Sequence, residues 1–533
     1  MIAAKSRRNS AFRHTAHLPL ALLLAAAVLA GCSKNPVTGE KEFAPYSTRD
    51  EIDLGKQHYG PLQQAQGGRF KTDPKLGAYV REVGRRVARK SDRTKLPYEF
   101  VVINNSVPNA WALPGGKIGI NRGLLMEMEN EAELAAVLSH EVVHAAARHG
   151  GQALTRNLLF GVAQIAIALA GRDSRHINYI LGGSGLAFQL INRSYSRGAE
   201  READFYGMKY MHRAGYDTRA AVTLQQKFLA LSKGRRQDWL TGLFATHPPS
   251  KERVKNNRKA LKKYPPGGDL GRKRYDVQLA WLRTRKPAYA AADKARRVMA
   301  AAPASALPLI ERAIARVPQE AQFRGLKGQI LARMGRYEAA VAAYDDAIRR
   351  DSGFYEHFLG RGLAWSALGN GTRSRSDLRY SYGLLPTSLA GYALGTLHLE
   401  SGNRSAAKTL FAAAANAKGD VGEAARARHA MLDIADNPGR YVSARPVFRF
   451  RRLLVRVSNR SGYRITGITV SLSGSVGNRP VWNRLQLHGL GPHGSFELDT
   501  GVTVGPKEKA KAEARVVRAR ISADVRALRR YYP

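Results

Sequence analysis

Apolar and polar positions follow each other along the chain with different spacings, and each spacing predicts a different kind of structure. Between residues 73 and 90, apolar side chains recur every three to four positions, as on one face of a helix. Short runs at 98–103, 110–113 and 118–121 predict strands, and a Pro-Gly-Gly-Lys turn joins the last two. The first half of the chain is therefore predicted to combine helices with a small sheet.

Beyond residue 296 the apolar pattern repeats with a period of about 34 residues. Small and apolar residues of one repeat have counterparts in the next: Gly328, Leu331, Gly335, Tyr337, Ala340, Tyr344 and Ala347 correspond to Gly362, Trp365, Gly369, Gly371, Ser374, Leu378 and Ser381. The period resembles that of tetratricopeptide repeats, which stack into a helical solenoid with a concave surface for polypeptides. Two repeats are clear and one or two are partial. A generic stack of helical hairpins predicts nearly the same shape.

After Asn437-Pro438-Gly439 the apolar residues occupy alternate positions, as in strands with one buried face. The alternating residues are Leu453, Val455 and Val457, then Ile468, Val470 and Leu472, then Leu485 and Leu487. Turn signals separate the three runs. This end of the chain is predicted to form a small antiparallel β-sandwich.

The apolar stretch from Leu134 to Ala145 predicts a buried helix that is interrupted by His140, Glu141 and His144. Positions four apart share a helix face, so the two histidines can present their imidazoles to one metal ion. Glu141 is placed to take a proton from a water molecule at that metal. These polar groups need a partner that offsets their desolvation, and zinc supplies one. The alternative is an amphipathic helix that matches H-E-x-x-H by chance.

A second predicted helix, from Ser194 to Gly215, contains Glu200, Glu202 and Asp204. Glu200 and Asp204 share one face, whereas Glu202 points away. A zinc site with two histidines and an open position needs a third protein ligand, and Glu200 suits that role. Asp204 suits the role of hydrogen-bond acceptor for a ligand histidine. Taken alone, the pair is also typical of a solvated, charged helix face.

The chain is strongly basic, with 86 lysine and arginine residues against 42 acidic residues and a formal net charge of +44. Such an excess favours anionic surfaces such as lipid headgroups, acidic glycans or nucleic acid. The basic residues are spread over the whole sequence, which contains no nucleic-acid-binding motif. A generally basic, solvated surface is therefore the simpler interpretation, and no nucleic-acid partner is expected.

Cys32 is the only cysteine of the chain, which excludes an intrachain disulfide. It follows basic residues at 5–13 and an apolar run at 18–30 that ends in small residues, the order of a signal peptide. This region resembles the bacterial lipobox, whose cysteine is lipidated and becomes the mature N-terminus. The resemblance implies a periplasmic protein anchored through Cys32, and Ser33 at the next position implies the inner leaflet of the outer membrane. A short transmembrane anchor is the alternative, although the run is shorter than the roughly 20 residues of a span.

Together these motifs resemble the gluzincin zinc metallopeptidases, a family that includes the membrane heat-shock protease, the CAAX prenyl protease and periplasmic lipoproteins for outer-membrane-protein quality control. The resemblance covers about residues 33–260. Besides H-E-x-x-H and E-x-x-x-D, the matching stretches are Asn35-Pro36-Val37-Thr38-Gly39, Asn109-Ala110-Trp111-Ala112-Leu113-Pro114-Gly115-Gly116, His149-Gly150, Ala214-Gly215-Tyr216-Asp217, and His247-Pro248-Pro249 with Arg253.

The resemblance implies roles for the matching polar residues. His140, His144 and Glu200 are expected to bind one zinc ion per chain, with Glu141 as the general base. Asp204 is expected to support a ligand histidine from outside the metal shell. These roles agree with those that the helical spacings allow.

The resemblance also implies a substrate site. The strand with Asn109, Ala110, Trp111 and Ala112 is expected to be a sheet edge to which an extended substrate adds as another strand. His247 is expected to be a fourth zinc ligand that holds the enzyme latent, and Arg253 to stabilise the oxyanion. A loop histidine beside prolines and a surface arginine are the alternatives for the last two.

We therefore predict a multi-domain, mainly α protein. The predicted segments are a signal peptide (1–31), a tether (32–50), an α+β zincin-like peptidase domain with a small edge sheet (51–265), a linker (266–295), a tetratricopeptide-like solenoid (296–436) and a β-sandwich (440–533). The predicted function is that of a membrane-anchored periplasmic zinc metalloendopeptidase for misfolded or stalled envelope and outer-membrane proteins. Its repeats would hold substrates or the outer-membrane assembly machinery.

The alternative is a periplasmic chaperone or scaffold that uses the repeats, with a latent or vestigial protease site. A purely structural zinc site is disfavoured for two reasons. Glu141 would then have no role, and structural sites usually present four closed ligands rich in cysteine.

Overall fold

The computed structural model describes residues 32–43, 46–153, 195–233 and 242–522. The predicted signal peptide at 1–31 lies outside these ranges, as does the apolar stretch at 158–170, for which the sequence favours a buried helix over a segment that dips into the membrane surface. Across the described ranges, no helix combines the length and the apolar character that crossing a membrane requires.

The first compact unit comprises residues 1–293 and 315–319. Its described residues form two small sheets, whose strands are β1 (Cys32–Lys34), β2 (Lys41–Phe43), β3 (Glu99–Ile103), β4 (Ala110–Leu113) and β5 (Lys117–Asn121). β1 and β2 form an antiparallel pair. The other sheet has the order β3-β5-β4, in which β3 is parallel and β4 antiparallel to β5. β4 is therefore an edge strand of this sheet, joined to β5 by a turn in which Gly115 and Gly116 have positive φ.

Helix α4 lies at the centre of the first unit. The helices in this part of the chain are α1 (Thr48–Ala65), α2 (Pro74–Ala88), α3 (Arg122–Leu125), α4 (Glu131–Ala146), α5 (Arg197–Arg213), α6 (Arg219–Lys233), α7 (Leu243–Thr246), α8 (Lys251–Leu261), α9 (Arg272–Thr284) and α10 (Lys286–Val298). α4 packs against α2, α5 and α6, and every residue of α4 except His140 is buried. Because its sequence is mostly apolar, α4 is a buried core helix, and it carries the polar residues His140, Glu141 and His144.

The segment 266–295, predicted to be a linker, is instead helical and packed. In α9, Tyr275, Leu279 and Leu282 recur at helical spacing and are fully buried. The Tyr275 hydroxyl donates a hydrogen bond to the Leu125 carbonyl oxygen at 2.6 Å. Residues 265–268, where the predicted peptidase domain gives way to the predicted linker, therefore lie inside the first unit, and the segment predicted as a linker contributes a packed helix to it.

The second compact unit comprises residues 294–314 and 320–533 and begins with the helical repeats. Its helices are α11 (Pro303–Arg316), α12 (Ala321–Arg333), α13 (Tyr337–Arg350), α14 (Tyr355–Ala367), α15 (Gly371–Leu384), α16 (Ser388–Glu400), α17 (Arg404–Ala414), α18 (Asp420–Asp436) and α19 (Pro438–Tyr441). In three successive helix pairs, a glycine of the first helix lies under a large side chain of the second. These pairs are Gly328 with Tyr344, Gly362 with Leu378, and Gly395 with Phe411.

The C-terminal strands form two three-stranded antiparallel sheets around one core. They are β6 (Val442–Arg449), β7 (Arg452–Asn459), β8 (Ile465–Val476), β9 (Arg479–Leu490), β10 (Ser495–Thr503) and β11 (Ala510–Ile521), in the orders β10-β7-β6 and β11-β8-β9. The alternating residues of β7 and β8 are buried between the sheets, and Ala430 and Ile434 of α18 join the same core. The predicted fold class, mainly α and multi-domain with a helical solenoid and a terminal β-sandwich, is confirmed.

Candidate metal centre

Two histidines of α4 face the same point beside a cleft. Asn130 caps the helix by accepting a hydrogen bond from the Glu133 backbone N–H at 2.9 Å. His140 and His144 are four positions apart and project to the same side, with their Nε2 atoms 3.0 Å apart. His144 is buried, whereas the His140 side chain is 13% exposed. Of these two rings, His140 is therefore the one that solvent reaches in the part of the chain that the structure describes.

Helix α5 supplies a carboxylate to the same point. Ser196 caps this helix, and Glu200 lies in its first turn. The Glu200 Oε2 is 3.5 Å from His140 Nε2, and its Oε1 is 3.4 Å from His144 Nε2. Burial opposes the charge of Glu200, but the nearby charges of His247 and His140 hold its pKa well below its usual range. The carboxylate is therefore ionised, as a metal ligand must be.

His247, in the loop after α7, completes the group. Its Nδ1 is 2.9 Å from Glu200 Oε1 and 3.3 Å from His140 Nε2. One ligand atom from each of the four side chains can be chosen so that all lie within 4.8 Å of one another. These four are His140, His144, Glu200 and His247.

The spacing and chemistry of these atoms fit a zinc ion. Zinc binds histidine nitrogens and carboxylate oxygens at roughly 2.0–2.2 Å in a tetrahedron, which sets neighbouring ligand atoms about 3.4 Å apart. Five separations among these atoms, two between ring nitrogens and three between a ring nitrogen and a Glu200 oxygen, are 2.9–3.5 Å and lie around that value. Imidazoles with one carboxylate and no cysteine are typical of catalytic rather than structural zinc sites.

The second ring nitrogen of each α4 histidine makes a hydrogen bond that sets its tautomer. His140 Nδ1 lies 3.1 Å from Asp204 Oδ1, so its N–H donates to that carboxylate. His144 Nδ1 lies 2.9 Å from His149 Nδ1, and His149 Nε2 lies 3.2 Å from Glu202 Oε2. With these N–H groups directed outward, the Nε2 atoms of His140 and His144 keep their lone pairs for a metal.

Glu202 lies differently from the sequence prediction. Helical spacing alone predicted that the Glu202 side chain points away from the site. In the structure Glu202 contacts His149, which in turn contacts His144. His149 follows α4, and its contact with α5 depends on how the chain turns after Ala146. Local spacing does not encode that turn, so Glu202 was missed.

Arg253 contacts acidic side chains of α5. Its guanidinium donates to both Asp204 oxygens at 2.7 and 2.8 Å and lies 2.9 Å from Glu200 Oε2. Burial opposes its charge, but Asp204 raises the pKa of Arg253 above its usual range. These are the contacts of a residue that positions Asp204, and the oxyanion role stays a prediction.

Glu141 lies on the inner side of the cluster. Its carboxylate is buried, and its Oε2 has no hydrogen-bond partner within the described residues. Its Oε1 is 3.5 Å from His247 Nε2. Burial raises the pKa of Glu141, and the charges of His247 and His140 partly oppose this. A carboxylate with a raised pKa is suited to accept a proton from water and to return it.

Tyr195 is a site residue that the sequence pattern did not single out. Its ring stacks on the His144 imidazole, with centroids 3.8 Å apart and an interplanar angle of 18°. Its hydroxyl donates to the Ala112 carbonyl oxygen of β4 at 3.4 Å. One aromatic residue before a helix is no signal in the sequence, so only the three-dimensional arrangement reveals it.

The predicted substrate strand lies at the sheet edge, in and just before β4. The Asn121 N–H donates to the Asn109 carbonyl at 2.8 Å. Because hydrogen-bonded pairs alternate along an antiparallel ladder, the backbone N–H and C=O groups of Ala110 and Ala112 point away from β5. The Trp111 side chain packs in the core. The strand therefore offers backbone groups, not the indole, to a ligand.

An apolar cleft adjoins the cluster next to His140 and Glu141. Its walls come from α5, α6 and the α7 region. The largest of its apolar lining residues are Met208, Met211, Leu224, Phe228 and Leu243. The cleft therefore places an apolar surface beside the metal centre.

Two histidines of one helix, a glutamate of the next and an adjacent acid define a zinc metallopeptidase domain of the gluzincin class. Residues 74–261 match the model of peptidase family M48, and residues 300–353 and 326–387 match that of the tetratricopeptide repeat. The segment 74–261 is therefore similar to peptidase family M48, in agreement with the resemblance that the motifs indicated.

Three relatives illustrate the similarity. The putative beta-barrel assembly-enhancing protease of Vibrio cholerae serotype O1 is 30% identical over 204 residues, covering 36% of this chain and 41% of that protein. The mitochondrial metalloendopeptidase OMA1 of Arabidopsis thaliana is 33% identical over 162 residues, covering 30% of this chain and 31% of that protein. Metalloprotease YcaL of Escherichia coli K12 is 28% identical over 251 residues, covering 45% of this chain and 95% of that protein. The chain thus spans less than half the length of the first two.

Proposed function

We propose that the protein is a zinc metalloendopeptidase of the bacterial periplasm, anchored to a membrane and acting on misfolded or stalled envelope and outer-membrane proteins. The observation that carries the proposal is the convergence of His140, His144 and Glu200 at one point with Glu141 beside them. The name of the Vibrio relative, a beta-barrel assembly-enhancing protease, supports the substrate class. The lipobox-like sequence at Cys32 supports the anchor.

The side chains of the cluster divide the chemistry between them. His140, His144 and Glu200 would hold zinc, which when bound supplies a Lewis acid that polarises the scissile carbonyl and activates water at neutral pH. Glu141 accepts the proton of the attacking water and then donates it to the leaving amine. Asp204 keeps the His140 ring oriented through its Nδ1 hydrogen.

We expect the substrate to bind as an extended strand along β4. The outward backbone groups of Ala110 and Ala112 can pair with any unfolded polypeptide, because main-chain hydrogen bonds carry no sequence preference. The cleft with Met208, Met211 and Phe228 then accepts an apolar side chain next to the scissile bond. Both features suit the hydrophobic segments that misfolded proteins expose.

The test compares metal content and casein cleavage in the purified full chain and two variants. Glu141→Gln should keep zinc and lose cleavage, because the base is removed while the ligands remain. Glu200→Gln should lose both. A wild-type protein without bound metal, or a Glu141→Gln variant that still cleaves casein, would refute the proposal.

We further propose that His247 keeps the site latent. Its Nδ1 contacts Glu200 and its Nε2 lies 3.5 Å from Glu141 Oε1, so its ring stands between a metal ligand and the general base. His247→Ala should increase casein cleavage and retain zinc. Loss of cleavage in this variant would instead show that His247 takes part in catalysis.

A chaperone or scaffold is the second candidate function, favoured by the tetratricopeptide repeats at residues 300–387. Solenoids of this class bind polypeptides along an extended surface. Complementation of a deletion strain separates the two functions. Rescue by Glu141→Gln would favour the scaffold, and failure of a stably expressed variant would favour the peptidase.

A further inference from the structure

The hairpin between β6 and β7 ends in an exposed aromatic residue held in a strained conformation. The strands pair as far as Arg449 and Arg452, so Phe450 and Arg451 form a two-residue loop. Both have positive φ, 47° and 62°, in a turn type that favours Asn-Gly. Phe450 is 97% exposed. Phe450 thus has an unfavourable backbone conformation, and its exposed ring gains no stability from burial. This combination indicates that the ring has a role other than stabilising the fold.

Two more exposed aromatic residues lie at this end of the sandwich. Phe448 adjoins the loop and is half-exposed, and Trp482 of β9 is 74% exposed. The strand position of Trp482 lies towards the loop, because its neighbour Asn483 donates to the Thr500 carbonyl, and the Thr500 hydroxyl donates to the Leu453 carbonyl at the start of β7. We call the aromatic tip the set of Phe448, Phe450 and Trp482.

Basic residues surround the aromatic tip. Arg449 and Arg452 flank the loop, and Arg451 is part of it. The Val504 N–H donates to the Arg451 carbonyl, which brings the segment with Lys507 close to it. Arg449 and Arg452 make ion pairs with acidic residues of β10. Arg451 has no ion pair within the part of the chain that the structure describes, so its charge remains available to a ligand.

We propose that the aromatic tip inserts into the headgroup region of a membrane that contains anionic lipids. A projecting aromatic ring flanked by arginines suits this interface, because the ring enters the acyl boundary while guanidinium groups contact phosphates. Single-stranded nucleic acid is instead bound along basic grooves by several stacked bases, and this loop projects as a single point. The net charge of +44 complements the same anionic surface. The proposal concerns the second unit and is independent of the metal centre.

The direct test measures insertion at residue 450 in the full chain. Phe450→Trp adds an indole at the loop, and vesicles of phosphatidylethanolamine and phosphatidylglycerol with brominated acyl chains quench a tryptophan that enters them. Emission in excess of the wild type should be quenched in Phe450→Trp. Phe496→Trp is the matched control, because Phe496 is 53% exposed and pairs with Val457 towards the other end of the sandwich. No excess quenching at 450, or equal quenching at both positions, would overturn the proposal.

A second variant separates insertion from folding. Phe450→Asn removes the ring and suits a positive φ, so the hairpin should fold at least as well, with an unchanged or higher unfolding temperature. Its affinity for the same vesicles should fall about tenfold relative to Phe496→Asn. Quenching at 450 should also be lost in vesicles of phosphatidylcholine alone; if it persists, the requirement for anionic lipid is wrong. Binding of single-stranded DNA without vesicle quenching would assign the tip to nucleic acid.

Discussion

Each α4 imidazole can offer its Nε2 lone pair to a metal only while its Nδ1 hydrogen is held by an acceptor. A single carboxylate, Asp204, does this for His140. For His144 the acceptor is His149, which in turn donates to Glu202, whose carboxylate is only partly buried. Substitution of Glu202 can therefore alter the hydrogen bonding of His144 without changing a residue of α4.

We expect Glu202→Gln to lower zinc affinity roughly 10–100-fold. An amide is a weaker acceptor for the His149 N–H, so His149 in turn accepts less strongly from His144 and the ring becomes less basic. Competition with a chelator of known affinity measures the change. Glu252→Gln removes an exposed carboxylate paired with Arg201 and is the matched control. Equal zinc affinity in the two variants would show that the His149–Glu202 contact does not tune the metal.

Tyr195 donates to the Ala112 carbonyl, a group that an added substrate strand would use. Tyr195→Phe removes this hydrogen bond and retains the ring stacked on His144. We expect KM for a peptide substrate to fall about 2- to 10-fold with kcat nearly unchanged, because the hydroxyl no longer competes for the acceptor. A fall in kcat at unchanged KM would instead identify the hydroxyl as a donor in the transition state.

At the scale of helices and strands, the paired helices of the repeats can approach each other closely because glycines lie at their contacts. A β-carbon at Gly395 would lie 2.8 Å from the ring of Phe411, which is fully buried. Gly383, in α15, has nothing within 4 Å of the same position. The two glycines therefore differ in packing although both are helical.

We expect opposite effects of the same substitution at these two positions. Gly395→Ala should lower the free energy of unfolding of the second unit by about 1–3 kcal/mol, because the ring must shift within a packed core. Gly383→Ala should raise it by about 0.4–1 kcal/mol, because alanine restricts the unfolded chain and fits the helix. Urea unfolding followed by circular dichroism gives both values. Stabilisation by Gly395→Ala would mean that these helices do not cross closely.

Asp433 of α18 joins the end of the repeats to the start of the sandwich. Its carboxylate lies 2.8 Å from Lys408 Nζ and accepts a hydrogen bond from the Tyr441 hydroxyl at 3.0 Å. Burial opposes its charge, but hydrogen bonds from Lys408, Asn437 and Tyr441 hold the pKa of Asp433 far below its ordinary value of 3.8. The ionised carboxylate therefore stabilises the fold above that pH, and the contribution is lost as the pH falls through the folded-state pKa.

We expect Asp433→Asn to cost on the order of 1–3 kcal/mol of unfolding free energy at neutral pH. The difference from the wild type should shrink as the pH falls below 3.8, where the wild-type carboxylate becomes protonated in the unfolded chain. Urea midpoints over this pH range measure it. Asp436→Asn, which removes an exposed partner of Lys408, should have a small effect. If the stability difference between Asp433→Asn and the wild type stays constant with pH, the charge of Asp433 is not its cause.

At the scale of the whole molecule, the sequence predicted features that depend on local spacing, but not contacts between distant segments. The spacing of His140 and His144 lies within one helix, so their shared face follows from helical geometry alone. The glycines of the repeats recur with the period that the sequence displays. The positions of Glu202 and Tyr195 instead depend on how α4, α5 and β4 meet, and no local spacing encodes this. The buried face of α9 was missed because the turn before it was interpreted as the end of a domain.

The distribution of the four candidate metal ligands leads to a prediction about the two compact units. His140, His144, Glu200 and His247 all lie between residues 1 and 293, on three separate parts of the first unit. A metal that binds the folded but not the unfolded form stabilises it by about 2.7 kcal/mol at a free concentration one hundred times its Kd. Zinc is therefore expected to link α4, α5 and the His247 loop thermodynamically, while the second unit keeps its own helical and sandwich cores.

We accordingly expect a chelator to lower the unfolding temperature of the first unit and leave that of the second unchanged. Calorimetry of the full chain with and without chelator measures both transitions, and Glu200→Gln should reproduce the effect without chelator. Adding zinc back should restore the first transition in the wild type but not in this variant. Equal shifts of both transitions would mean that the metal stabilises more than the unit that holds its ligands, and no shift at all would mean that these four side chains do not bind it.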